Sequence, residues 1–337
     1  MMKVNFNFYG FEVVVNSDSI ELLDLLKKNF GYFYNKKMQA KKTLTIDIFL
    51  KDDFKTIVPK HLIAHKQTIN SMSYDIGPIR YNDYYGKAVT VMNYELETAK
   101  IYSSDLNKIH EVAYLLILSR QGKWCDRNGF HKVHAMSVSH KDKNLVVMMP
   151  MKGGKTTLFT QFLKDEKYNL ISDDSPVINE NGDLLSFPIR FGLEDNNSYK
   201  DLLNSIDESY KFSLEREQFG KKILVDTLFY KNRLKKPSKK TILVQGIRWN
   251  SEKCIVEKIS FFKMLMFLKT HLIVGVGLPM VIEYFLQGTL QDHLQNLKIL
   301  VSRTLAAIRL TYKSDRYIAY MSYDIENNYE ELKKLID

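Results

Sequence analysis

Residues 145–164 read LVVMMPMKGGKTTLFTQFLK, and no other stretch constrains the fold of this chain as tightly. An unbroken apolar run (145–149) gives way to a short loop with Gly153 and Gly154, and a helix-forming segment follows from Lys155 to Lys164. Continuous apolarity suits a strand buried on both faces. Such a strand feeding directly into a helix calls for a sheet with helices packed over it, so the segment predicts an α/β core. Its centre, GGKTT, has the form of the end of a phosphate-binding loop, where backbone N–H groups and a helix N-terminus face an anion. The full pattern G-x-x-x-x-G-K-[ST] has a further glycine five residues before the second. Here that position is Met149, followed by Pro150. Proline presets φ and can start the turn in place of glycine. Gly153 and Gly154 still allow close backbone approach. Lys155 is spaced to reach the β- and γ-phosphates of a nucleotide, and the Thr156 hydroxyl to reach Mg²⁺.

Two further features bear on the loop. Asp173 and Asp174 lie 18 and 19 positions after Lys155, directly after the apolar run NLIS. Adjacent carboxylates at the end of a neighbouring strand can divide metal binding and proton removal between them. An isolated Asp-Asp pair is more often a turn or helix cap; its place after the lysine loop favours chemistry. His134, in HAMSV, belongs to the strand expected before the loop strand. The plainer reading of a lone strand histidine is a half-buried structural one.

The remaining chain divides into regions. Residues 1–104 read as a small α+β domain, with strands at 4–15, 43–50, 62–67, 88–92 and 98–102 and a helix at 20–33. Asp105 is placed to cap a helix running to about 122, broadly apolar, which makes 105–124 a bridging helix. His110 on it reads as structural. Residues 125–272 form the core, with strands at 132–139, 145–149, 170–172, 177–179 and 241–247. Asn181-Gly182 between two apolar runs predicts a hairpin. The segment 273–337 reads as mainly helical, from 279 to 307 with a break near 288, then two short strands within 310–323 and a helix at 326–336. A further helix is expected at 261–271.

Composition excludes several classes. The two cysteines, Cys125 and Cys254, supply no disulfide framework, which suits a cytoplasmic protein. The N-terminal alternation of MMKVNFNFYGFEVVV is not that of a signal peptide. No apolar run has the length of a membrane span; the nearest, 259–278, is interrupted by Lys263, Lys269, Thr270 and His271. The net charge of +10 is partly local, since residues 221–240 hold eight basic residues and one acid. No nucleic-acid module accompanies it, so nucleic acid is not expected as a partner. The run reads as a solvated lysine-rich face or as a loop facing phosphate.

HAMSV, LVVMMPMKGGKTTL and LISDD, in that order and spacing, resemble the superfamily of HPr kinase/phosphorylase and ATP-dependent phosphoenolpyruvate carboxykinase. The resemblance covers about residues 131–192. It implies a P-loop kinase core of that type, with an N-terminal α+β domain and a largely helical C-terminal region. It also implies ATP and Mg²⁺ as cofactors. Carried over, Lys152, Gly153, Gly154, Lys155, Thr156 and Thr157 contact the nucleotide, Thr156 and Asp174 hold the metal, and Asp173 is the base. His134 lies near the metal and the transferred phosphate, and Arg190 contacts substrate or phosphate unless it is an ordinary surface arginine. Lys152 stands where these families often have a second glycine, and the chain lacks both the carboxykinase substrate site and the downstream HPr kinase signature. The sequence is closer to divergent HPr-kinase-like proteins found near peptide natural-product genes. The implied activity is phosphorylation of a Ser or Thr hydroxyl on a peptide or protein. A small-metabolite kinase and a nucleotide-binding regulatory protein are the alternatives, and a homo-oligomer is left open.

Overall fold

The strand that opens the sequence argument sits at the centre of a six-stranded sheet. The structure, a computed structural model, describes residues 1–194, 197–216, 220–280 and 290–337. It is mixed α/β and divides into two compact units, Met1–Gln121 with Leu214–Gly220, and Gly122–Ser213 with Lys221–Asp337.

The first unit is built on an eight-stranded sheet. Its strands are β1 (Met2–Phe8), β2 (Phe11–Ser17), β3 (Lys42–Leu50), β4 (Lys66–Gln67), β5 (Met72–Ile76), β6 (Ile79–Asp83), β7 (Val89–Asn93) and β8 (Thr98–Ser103), in the order β1-β2-β3-β8-β7-β6-β5-β4. Helix α1 (Ile20–Phe30) makes the crossover between the parallel strands β2 and β3. The single strand expected at 4–15 is a hairpin. Tyr9 and Gly10 both take positive φ (58° and 102°), as a two-residue primed turn requires, and Phe8 pairs with Phe11. Only Lys66–Gln67 of the strand expected at 62–67 forms. Phe6, Phe8, Phe30 and Phe33 make the aromatic core of this unit, with Tyr114 stacked on Phe30. Tyr114 belongs to α2 (Leu106–Arg127), which is capped by Asp105 and runs five residues past the expected end.

The second unit contains β9 (Phe130–Lys132), β10 (Ala135–His140), β11 (Lys143–Met148), α3 (Lys155–Lys164), β12 (Asn169–Ser172), β13 (Val177–Asn179), β14 (Leu184–Leu185), β15 (Phe191–Glu194), α4 (Lys200–Ser205), β16 (Lys211–Arg216), β17 (Gly220–Val225), β18 (Lys240–Arg248), β19 (Ile255–Lys258), α5 (Phe261–Leu268), α6 (Leu290–Lys313), β20 (Ser314–Met321) and α7 (Ile325–Ile336). The main sheet runs β12-β10-β11-β18-β20-β19, with β11, β18 and β20 parallel. Alternation along β11 and the residue after it assigns the two faces. Leu145, Val147 and Met149 pack with α3 and α7, while Val146 and Met148 pack with α5 and α6. This sheet thus lies between two helical layers, which is why the run from Leu145 to Met149 is apolar on both faces. Arg233 ties α3 down by donating to the carbonyls of Phe162, Leu163, Asp165 and Tyr168, at 2.7 to 3.2 Å. The Asn181-Gly182 hairpin forms between β13 and β14, with Gly182 at φ 81°.

Three further expectations change. The strand at 132–139 breaks at Val133 and His134, so that β9 joins β13 and β14 while β10 joins the main sheet. The helix at 261–271 ends at Leu268 and continues as a π-helical turn, Lys269–Val274. The two strands expected within 310–323 are the end of α6 and a single strand, β20. The break expected near 288 lies outside the described residues.

Candidate active site

Strand β11 delivers the chain to Pro150, and the Gly153 N–H closes a turn by donating to the Pro150 carbonyl at 3.0 Å. A Cβ on Gly153 would meet that carbonyl oxygen at 2.8 Å, so the position excludes any side chain. Gly154, the N-cap of α3, has φ 99°. Lys152, exposed, also adopts a left-handed φ of 59°, at the position where the resembling families often use glycine. Two left-handed residues so close together turn the loop back on itself, and α3 then starts at Lys155. The first-turn N–H groups of a helix have no intrahelical acceptor, so this end presents donors and a positive dipole.

Lys155 is 6% exposed, and its Nζ lies 3.0 Å from the Met149 carbonyl, 3.4 Å from that of Pro150, 2.9 Å from His134 Nε2 and 3.8 Å from Asp174 Oδ1. His134 Nε2 is also 3.2 Å from Asp174 Oδ1. One ring nitrogen serves only one of these contacts at a time. Bare, it accepts from Lys155; protonated, it donates to Asp174. Lys155, His134 and Asp174 therefore form a proton-sharing trio. Thr156 Oγ1 donates to Asp173 Oδ2 at 3.2 Å, and Asp173 Oδ1 is buried with no hydrogen-bond partner among the described residues. Thr157 Oγ1 lies 2.7 Å from the Tyr199 hydroxyl. Arg248 at the end of β18 donates to the Gly153 carbonyl at 3.1 Å. It also lines a cavity of about 240 Å³ beside the loop, with Met149, Gly154, Met321 and Tyr323.

The two aspartates have divergent acidities. Burial, with the Asp174 charge behind it, pushes Asp173 up to about 7, against the Thr156 hydrogen bond and the Lys155 and Lys222 charges. Burial also works to raise Asp174, but the His134 hydrogen bond and the charges of His134, Lys155 and Lys132 outweigh it and hold that carboxyl below its usual range. Asp174 retains 49% of its side-chain exposure, so it is the more open and the more readily ionised of the pair. Burial lowers Lys155, opposed by Asp174 and Asp173.

The residues predicted from sequence largely converge here. Gly153, Gly154, Lys155, Thr156, Asp173, Asp174 and His134 form the cluster, with Thr157 in the same first turn of α3, bonded to Tyr199, and Lys152 at the loop surface. Arg190, directly before β15, is buried, 7% exposed, and so is not an ordinary surface arginine, but none of the contacts above involves it. Of the two aspartates, Asp173 is the one to which Thr156 donates.

Three residues at the cluster were not singled out from the sequence. His271, on the π-helical turn, accepts the backbone N–H of His134 through its carbonyl at 2.9 Å, and its Nδ1 is buried without a partner among the described residues. Burial, then the neighbouring His134 and Lys155 charges, lowers His271 to about 4. Lys132, 1% exposed, lies 4.2 Å from the Phe187 ring centroid; burial lowers it to about 8, opposed by Cys125, Asp126 and Asp174. Lys222, from the basic run, exerts its charge on Asp173. Only Lys222 had a sequence signal, the charge run itself.

Neither a family model nor a curated protein sequence matches the chain. Among the described residues, no helix is long and apolar enough to cross a membrane.

Proposed function

We propose that this protein is an ATP- and Mg²⁺-dependent phosphotransferase with a P-loop core of the HPr kinase/phosphoenolpyruvate carboxykinase type, phosphorylating a Ser or Thr hydroxyl of a peptide or protein. One observation carries the reading: Lys155, His134 and Asp174 meet within 3.8 Å, with Thr156 on Asp173, at the N-terminus of α3. Three separate segments, the β9–β10 junction, the start of α3 and the turn after β12, supply these groups, and a turn or cap role for the aspartates does not explain that convergence.

The residues fit the cofactors. Gly153 and Gly154 leave the loop bare of side chains on the approach to α3. Mg²⁺ takes one or two carboxylates and a hydroxyl together with phosphate oxygens, rather than a full protein cage. Thr156 with Asp173 or Asp174 has that composition, and the unsatisfied Asp173 Oδ1 is the kind of buried oxygen a ligand completes. The bound nucleotide and cation supply the phosphoryl group and the neutralisation of its charge. Lys155 binds phosphate in exchange for its loop carbonyls. Asp173, near neutrality, accepts the proton of the acceptor hydroxyl, since a base works best with a pKa close to the working pH. Asp174, kept ionised by His134, Lys155 and Lys132, would hold the cation. The cavity beside Arg248 has an apolar floor suited to a flat base. The buried free cysteines fit a reducing, cytoplasmic setting.

The test incubates the protein with γ-labelled ATP, Mg²⁺ and a peptide pool containing Ser and Thr. Transfer is expected, falling at least ~100-fold in Asp173→Asn with ATP binding retained. Undiminished transfer by that variant removes Asp173 as the base. Calorimetry showing no ATP binding by the wild type removes the kinase reading altogether. Binding without transfer to any acceptor favours the regulatory alternative.

A further inference from the structure

Away from the phosphate loop, the second unit holds another cluster, in which a base meets a nucleophile. His131, on β9, is buried, with Asp126 of α2 on one side of its ring and Ser302 of α6 on the other. Nδ1 lies 2.9 Å from Asp126 Oδ1, and Nε2 lies 2.9 Å from Ser302 Oγ. Asp126 also receives the Arg303 guanidinium on both carboxylate oxygens, at 2.9 and 2.5 Å. Burial works to raise Asp126, but Arg303 and His131 hold it well below the usual carboxylate range. An ionised carboxylate only accepts, so Nδ1 carries the ring proton. Arg303 supplies the counter-charge, so the ring does not have to. The neutral ring leaves Nε2 bare, ready to accept the Ser302 hydroxyl proton. A carboxylate that orients a histidine, which in turn activates a serine, has this order of atoms.

The serine is turned towards this pairing. Helical Ser and Thr side chains commonly donate to the carbonyl one turn back. Thr304 and Thr311 of α6 do so, to Leu300 and Ala307 at 2.8 and 2.7 Å. Ser302 reaches His131 instead. The histidine and the aspartate are fully buried, whereas Ser302 lines an open groove of about 480 Å³. Leu297, Val301 and Leu305 make that groove apolar, and Lys298 and Arg309 bring positive charge to it against Glu180. Lys298, Leu305 and Arg309 stand four before, three after and seven after Ser302, on the same face of the helix. An apolar acyl chain thus has a bed beside the hydroxyl. A carbonyl oxygen that turns negative during attack has cations in the same groove.

We propose that Ser302, His131 and Asp126 form a second site of this chain, an acyl-transfer centre for carboxylic esters with an apolar acyl group. Ser302 Oγ bonds to the ester carbonyl carbon while His131 Nε2 takes the hydroxyl proton. The bond from that carbon to the alcohol oxygen breaks, and Nε2 returns the proton to the leaving alcohol. Water, deprotonated by the same nitrogen, then releases the acid and restores the serine. Ester and water are consumed, acid and alcohol are formed, and no other reactant is needed. The centre shares no residue with the phosphate loop or its aspartates, so it is independent of the phosphotransfer reading. The test treats the intact protein with an alkyl fluorophosphonate, whose fluoride the serine displaces, and separately with p-nitrophenyl butyrate. Peptide mass mapping should place the label on Ser302, and nitrophenolate should be released. Both should vanish in Ser302→Ala, with the fold checked by circular dichroism. His131→Gln should cut the maximal labelling rate ~100-fold or more. Asp126→Asn should lower that rate at an unchanged half-saturating probe concentration, because the groove is intact and only the ring has lost its orientation. Ser302→Ala and His131→Gln carry the test if that variant does not fold. A wild type that takes no label on Ser302 overturns the proposal, as does ester hydrolysis that is absent or that survives Ser302→Ala. Labelling undiminished in His131→Gln overturns it too, and leaves the pair a structural hydrogen bond.

Discussion

Lys152 holds its backbone at φ 59° with a full side chain in solvent. The left-handed conformation costs an L-residue about 1–2 kcal/mol, because Cβ crowds the following carbonyl. The cost is tolerated because the next two positions are glycine and the loop needs its reversal before α3. A β-branched residue fits this conformation worst. Lys152→Val is therefore expected to lower stability by at least about 1 kcal/mol, whereas Lys152→Gly should melt no lower than wild type. Thermal melts of the two variants decide it; equal losses would mean that the lysine side chain, rather than the backbone, sets the loop.

The elements around the loop show what periodicity reveals and what it hides. Strand β11 and helix α3 were legible because each carries an unbroken local signal: an apolar run, then a glycine pair ahead of a good helix former. The hairpin at Tyr9-Gly10 was missed because tyrosine is not a residue expected at positive φ, so the alternation seemed to continue through it. The break at His134 has no local signal at all. It is set by three backbone bonds reaching elsewhere: Val133 to Pro176, His134 to His271 and Ala135 to Asp174. The π-helical turn that receives one of them was read as ordinary helix, and His271 went unnoticed with it. One consequence at this scale is testable. Gly277, just beyond the π-helical turn, has φ 92°, and a Cβ there would sit 2.7 Å from His134 Cε1. Gly277→Ala should displace the His134 ring and depress phosphoryl transfer more than it depresses ATP binding. Unchanged transfer with an unchanged melt would show that the ring has no positional role.

For the molecule as a whole, the site affects stability with pH through two opposing groups. Asp173 is raised from its ordinary value to about 7, so between about 4 and 7 the unfolded chain gives up this proton while the folded chain keeps it. Its contribution to stability therefore falls as pH rises across that window. His271 is lowered from 6.5 to about 4. Between those values the unfolded chain binds the extra proton, so its contribution rises with pH. Asp173→Asn should steepen the rise in melting temperature between pH 4 and 7, and His271→Asn should flatten it. Parallel melting curves for all three proteins would remove the electrostatic account of the cluster.

The bond from His134 to His271 joins positions 137 residues apart, and β18 has its parallel neighbour β20 only after the chain has passed residue 314. Synthesis proceeds at about 5–20 residues per second. The loop and both aspartates thus leave the ribosome many seconds before the turn that fixes the histidine between them. During that interval the nascent chain holds the loop lysine and both aspartates without the completed cluster. Vectorial synthesis therefore delays assembly of the cluster until β20 has been made, and a chain that stopped short of residue 271 would carry the glycine pair, the lysine and both aspartates without the turn that holds His134.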